Sequence, residues 1–270
     1  MKSAVTIALV PEIKKGPWVF WNNLETGMQK AAALGFDAVE LFTAAGKALD
    51  ATYVKHLAAQ HHIQIAAAGT GAGKVVQGLT LIDEDASVRA RAIEFISEMI
   101  EFGAQLQAPA IIGSMQGNIP LNKEKEVSLQ WLREGLGILG KKAENLGVPL
   151  IYEPLNRYET NLFNQLGDAV AFLQTFESAN VKLLADLFHM NIEESSIPET
   201  ILQYGQYIGH VHLADSNRQA MGFGHTDAIA IAQALKDVRY EGYLSAEVFP
   251  LPDSDAAAAQ TIQAFRTWFS

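Results

Sequence analysis

Pro149-Leu150-Ile151-Tyr152-Glu153, Val181-Lys182-Leu183-Leu184-Ala185-Asp186, Ile208-Gly209-His210-Val211-His212 and Tyr243-Leu244-Ser245-Ala246-Glu247 are four short apolar runs, each ending on a polar residue. The polar ends are 33, 26 and 35 residues apart. A strand with the helix that returns it takes about 30 residues. Four successive units would therefore set three carboxylates and one imidazole along one rim of a parallel barrel. Taken singly, a carboxylate after a strand is often only a helix N-cap, and a lone His is often a hydrogen-bonded core residue. Four at matching depth on consecutive units point to a site instead.

The same rhythm runs through the rest of the chain. Strand candidates are residues 4–9, 38–42, 63–68, 110–114, 150–153, 182–186, 209–213 and 244–248. Segments of helical period lie between them, among them 22–34 before Gly35, 86–103, 123–146 before Gly147, and 167–176. Eight such units over 270 residues average about 34 each. This predicts a single α/β domain, a (β/α)8 TIM barrel over residues 1–270. A doubly wound open sheet would gather its functional residues at one crevice, whereas here they end four consecutive strands. Residues 66–73, rich in small side chains, read as a loop after the third strand. The alanine run 256–259, followed by Phe265, Trp268 and Phe269, reads as a final packed helix.

Charge and composition narrow the function. The net charge is −10, which argues against a phosphate-backbone partner, since that needs clustered Lys and Arg. The absence of cysteine excludes disulfides and thiolate metal sites. No stretch approaches the roughly 20 apolar residues that span a bilayer. The apolar start at residues 4–10 is too short for a signal segment, so a cytoplasmic location is expected. Gly69-Thr70-Gly71-Ala72-Gly73-Lys74 superficially resembles a phosphate-cradling loop. Ala68 and Val75 stand where that motif needs Gly and Ser or Thr, so the segment reads as a loop beside the barrel mouth. Lys123-Glu124-Lys125-Glu126 reads as a solvated helix start.

Three carboxylates and a neutral imidazole suit Mn²⁺, Mg²⁺ or Co²⁺ better than zinc. Each rim loop brings further polar groups: Glu159 after Glu153, His189 after Asp186, and Asp215 and Arg218 after His212. At these residues the sequence resembles the sugar isomerase/epimerase branch of xylose-isomerase-like barrels, most closely the D-tagatose/L-ribulose 3-epimerase group. The stretches that carry the resemblance are Glu-Pro-Leu-Asn-Arg-Tyr-Glu (153–159), Ala-Asp-Leu-Phe-His-Met (185–190), His-Val-His-Leu-Ala-Asp-Ser-Asn-Arg (210–218), Gly-Phe-Gly-His-Thr-Asp (222–227) and Ala-Glu-Val-Phe (246–249). The first half carries no comparable signature. The resemblance implies that Glu153, Asp186, His212 and Glu247 hold one divalent metal per chain, with Mn²⁺ the first choice. It implies that Glu159, His189 and Arg218 bind a ketose near its reactive end. A homodimer or homotetramer is also expected from the resemblance.

The implied reaction is inversion at C3 of an open-chain ketose through a cis-enediolate, with C2 and C3 oxygens chelated. Inversion needs a base on one face and an acid on the other, and Glu153 and Glu247 are the expected pair. Arg218 and His189 would anchor O1 and O2, and Glu159 would orient His189 or Arg218. Trp18, Phe20, Trp21 and Phe249 are candidates to wall the pocket, or equally to plug the barrel top or join a subunit interface. The loop after the eighth strand offers no cation for a phosphate, so a free sugar is expected. Rivals of the same chemistry are hydroxypyruvate isomerisation and inosose dehydration. An abasic-site endonuclease would need more histidines than the seven present and a basic groove. A non-catalytic sugar binder would need neither proton-moving glutamate.

Overall fold

The computed structural model describes residues 1–176 and 180–270. Eight parallel strands form its centre: β1 (Lys2–Leu9), β2 (Ala38–Thr43), β3 (Gln64–Gly69), β4 (Ala110–Ile112), β5 (Leu150–Tyr152), β6 (Val181–Asp186), β7 (Ile208–His212) and β8 (Tyr243–Ala246). Each pairs with the next, and β8 pairs back onto β1 with Ala246 opposite Val5, so the sheet closes into a TIM barrel. All eight strands lie within two residues of the sequence reading. A two-residue strand, Phe20–Trp21, pairs with Ile7 and Ala8 above the point where β8 leaves off.

Side chains alternate between two environments along each strand. In β5, Leu150 and Tyr152 join the large cluster between barrel and helices, whereas Ile151 joins an inner cluster with Ala67, Ile111 and Leu184. Ala4, Ala38 and Ala66 form another small cluster. The segment 66–73 departs from the loop expected there. Ala66, Ala67 and Ala68 lie buried in β3, and Ala72–Gln77 is a short helix. Small side chains serve close packing there: a Cβ on Gly69 would sit 3.1 Å from the Phe42 ring.

The flanking helices begin and end on local signals. In α1 (Leu24–Leu34), Asn23 Oδ1 accepts the Thr26 N–H at 2.8 Å, and Gly35 closes the helix at φ +84°. α2 (Ala51–Gln60) follows, then α3 (Ala72–Gln77), α4 (Ala86–Gln105) and α5 (Lys125–Asn145). Residues 123–126 are exposed at the start of α5, as expected. α6 (Leu166–Leu173) stops short of residue 176, because the Thr175 hydroxyl and N–H both bond to the Phe172 carbonyl. α7 (Leu187–Glu193), α8 (Ile197–Tyr204), α9 (Ala228–Asp237) and α10 (Ser254–Ala264) complete the ring, and Phe265–Phe269 adds a wider π turn. No helix among the described residues is long and apolar enough to cross a membrane.

Candidate active site

A cavity of about 200 Å³ opens at the C-terminal end of the barrel, lined by Trp18, Phe42, Glu153, His212, Arg218 and Glu247 among others. Asp186 and His212 are the last residues of β6 and β7, and Glu153 and Glu247 stand one residue beyond β5 and β8. One ligand atom from each of the four lies within 4.8 Å of the others.

Asp186 serves the fold and the site with different oxygens. Its Oδ1 accepts the N–H groups of Phe188 at 2.7 Å and His189 at 3.3 Å, capping α7. Its Oδ2 lies 3.3 Å from His212 Nδ1. Burial opposes ionisation of this carboxyl, yet His189, His212 and Arg218 together hold it well below the usual carboxylate range.

Glu153 is placed by β4. Gln116 Nε2 donates to the carbonyls of Glu153 and Gly113, both at 2.9 Å, and Tyr152 Oη donates to Gln116 Oε1 at 2.5 Å. A Cβ on Gly113 would lie 2.4 Å from Glu153 Oε2, so any larger residue there would displace that carboxylate. Glu153 Oε1 is buried without a hydrogen-bond partner among the described residues.

His210 and His212, two apart on β7, point to the same side. Both turn Nε2 to Glu40 of β2, at 2.8 Å and 3.2 Å. A carboxylate only accepts, so this bond puts a proton on His212 Nε2 and leaves Nδ1 facing the acids. Burial alone would lower the His212 pKa, but Glu40 and Glu247 raise it well above the ordinary value. Glu40 is correspondingly lowered by its two imidazoles against the cost of burial.

Glu247 Oε2 receives Arg218 Nη2 at 2.7 Å. Burial pushes the Glu247 carboxyl up to about 7, and the negative charges of Glu153 and Asp186 add to this against His212 and Arg218. Arg218 also reaches Glu159 Oε1 from Nη1 at 3.2 Å and lies 4.9 Å above the Phe188 ring. Its backbone takes φ +57°, a costly conformation for a non-glycine residue. The surrounding loop enforces it: Asp215 accepts the N–H groups of Ser216, Gly222, Gly224 and Thr226 at 2.7–3.0 Å. Of the two partners expected for Glu159, it bonds Arg218; His189 Nδ1 is 4.0 Å away. His189 itself is buried, with Nε2 3.7 Å from Asp186 Oδ2 and 3.8 Å from Glu153 Oε1.

These donors fit a divalent cation that favours oxygen. They supply three carboxylates, one of them with an unpartnered oxygen, and one imidazole whose far nitrogen is held by a carboxylate, the arrangement usual for metal-bound His. Sequence reading missed Glu40, Gly113 and Gln116, and gave Asn156 no role although it lies in the stretch 153–159. Glu40 also carried a signal, an acid enclosed by Ala38, Val39, Leu41 and Phe42 in a buried strand. Of the four aromatic candidates, only Trp18 lines this cavity among the described residues; it stacks on Phe42 at 4.2 Å. Trp21 and Phe249 line a separate cavity with Leu251.

The family described as Xylose isomerase-like TIM barrel matches residues 28–268. A D-psicose 3-epimerase of Agrobacterium fabrum is 34% identical over 230 residues, 82% of this chain and 78% of its own length. An L-ribulose 3-epimerase of Mesorhizobium japonicum is 35% identical over 167 residues, 61% of this chain and 56% of its own. A crystal structure of D-psicose 3-epimerase in the presence of D-fructose superposes with a TM-score of 0.82 at 25% identity, covering 100% of this chain and 99% of that one. This chain belongs to the xylose isomerase-like TIM barrel family and is an enzyme of the isomerase class.

Proposed function

We propose that the protein is a divalent-metal-dependent ketose 3-epimerase acting on a free ketohexose or ketopentose. The observation that carries this reading is the convergence of ligand atoms from Glu153, Asp186, His212 and Glu247 within 4.8 Å of one another at the C-terminal end of the barrel. The 34% identity to a D-psicose 3-epimerase supports the reaction class.

Glu153, Asp186, His212 and Glu247 would hold the cation, Mn²⁺ by preference, which would polarise the carbonyl beside C3 as a Lewis acid. Glu153 and Glu247 move the proton: one takes it from C3, and the other returns one to the opposite face. A base and an acid in the same turnover must differ in protonation, so one glutamate holds a proton while the other is ionised. Asp186 has one oxygen committed to the α7 cap and stays a holding residue. Arg218 and His189 bind oxygens at the reactive end, and Glu159 steadies Arg218. Trp18 and Phe42 present apolar ring surface to the sugar and exclude water.

Incubation with D-fructose, D-tagatose, D-psicose and L-ribulose in the presence of Mn²⁺, read by chromatography, tests the reading. The expected result is interconversion of C3 epimers. Turnover of hydroxypyruvate alone would overturn it.

A further inference from the structure

His189 and His212 reach the same carboxylates but present different atoms to them. His212 turns Nδ1 inward, 3.3 Å from Asp186 Oδ2 and 3.5 Å from Glu153 Oε1, with Nε2 held by Glu40. His189 turns Nε2 inward, and that nitrogen has no hydrogen-bond partner among the described residues although the residue is 1% exposed. What this orphan atom does in the site depends on which ring nitrogen carries the proton.

Asn156 decides that. Its Oδ1 accepts the Tyr158 N–H at 3.0 Å, which fixes the orientation of the amide. Nδ2 is therefore the atom 2.7 Å from His189 Nδ1, and an amide NH₂ group only donates. The Asn156 backbone N–H points at the same ring nitrogen at 3.4 Å. Two donors on Nδ1 require its lone pair, so the proton resides on Nε2. The remaining amide hydrogen goes to Glu159 Oε1 at 3.3 Å.

We infer that Asn156 is a positioning residue that holds His189 in its Nε2–H form, committing it to donate a hydrogen bond to a substrate oxygen instead of binding the cation. His212 is mounted the other way round: Glu40 holds its Nε2–H, and its Nδ1 faces the acids, where it would give up its proton to a cation. The site thus has one ring nitrogen that can serve a cation and one that can only donate to substrate. This separates two imidazoles that distance alone leaves similar. The identity of the acceptor rests on the proposed function: an oxygen of an open-chain ketose that gains negative charge as the neighbouring C–H proton leaves.

The test reads the nitrogen directly. In protein labelled with ¹⁵N-histidine and loaded with Mg²⁺, long-range ¹H–¹⁵N spectra distinguish protonated from bare ring nitrogens. The His189 signals are assigned by their loss in His189→Gln. The expected native pattern is a bare Nδ1 and a protonated Nε2. Asn156→Asp keeps an oxygen for the Tyr158 N–H and replaces the donor facing the ring by an acceptor. In this variant His189 is expected to switch to Nδ1–H, and kcat to fall about 10²-fold, with KM changing less. The same switch is expected in Asn156→Asp combined with Glu159→Gln, where the neighbouring negative charge is gone. A protonated Nδ1 in the native protein, or an unchanged tautomer in either the single or the double variant, overturns the inference. If Asn156→Asp does not fold, Asn156→Leu removes the donor at similar volume; a mixed tautomer then supports the inference and an intact Nε2–H overturns it. Should the native protein turn over no ketose, the proposed function fails while the spectra still settle the role of Asn156.

Discussion

The two halves of the barrel rim have different duties. β5 to β8 end in the acids, the imidazole and the loops that carry Glu159, His189 and Arg218. β1 to β4 supply no member of that set, yet they decide where it stands. Glu40 on β2 holds His212 across the barrel, Gly113 after β4 leaves space for the Glu153 carboxylate, and Trp18 and Phe42 wall the cavity. Chemistry sits on one half, and part of its alignment comes from the other. A closed barrel brings the two halves into contact without an intervening edge.

The strongest test of this division is to remove the chemistry itself. Glu153→Gln or Glu247→Gln is expected to lower ketose turnover about 10²–10⁴-fold. Treatment with EDTA should abolish turnover in the unaltered protein, and Mn²⁺ should restore it. Chromatography of the epimer mixture reads both. If both glutamine variants and the chelated protein keep full activity, the second half does not carry the chemistry.

Alignment from the first half comes next. Gly113→Ala drives a methyl group into Glu153 Oε2 and is expected to reduce kcat about 10²-fold, the scale of a 1 Å misplacement. Circular dichroism should show the fold intact. Glu40→Gln leaves all four candidate ligands in place but weakens the hold on His212, so cation affinity measured by titration calorimetry should fall about 10–100-fold. Unchanged affinity would mean that β2 plays no part in the site.

The smallest effect is expected in the loop that carries Arg218. Burial opposes ionisation of Asp215, but the N–H groups of Thr226, Gly224 and Ser216 lower its pKa below the ordinary value. A depressed carboxylate contributes stability that is fully present above its unfolded pKa of about 3.9 and is lost as pH falls through the lower folded value. Asp215→Asn is therefore expected to cost about 1–3 kcal/mol at pH 7. It should also flatten the loss of stability below about pH 4. Urea midpoints across that range check both.

Legibility followed the same division. The four strand-end residues could be found because strand periodicity and one-unit spacing survive in the linear chain. Glu159, His189 and Arg218 were found because they follow those strands closely, within stretches that carry the family resemblance. Glu40 lies 172 residues from His212, and no local pattern couples them. Gly113 read as the body of a strand, although β4 stops before it and turns into a short 3₁₀ segment. Residues 66–68 fell in both the strand reading 63–68 and the loop reading 66–73 because smallness is ambiguous: it suits an open turn and a tightly packed strand equally. Asp215 was noticed as a charged rim residue, but its bonds to four loop amides spread over residues 216–226 exist only once that loop is closed.

The sequence by itself determined the barrel, its eight strands and the kind of chemistry at the rim, because alternation, helix caps and residue type act over a few positions at a time. Tertiary structure decided which atoms face one another. It turned His212 inward by Nδ1 and His189 by Nε2, and gave Glu159 to Arg218. Those outcomes depend on contacts between segments far apart in the chain, and only closure of the barrel brings them within hydrogen-bonding distance.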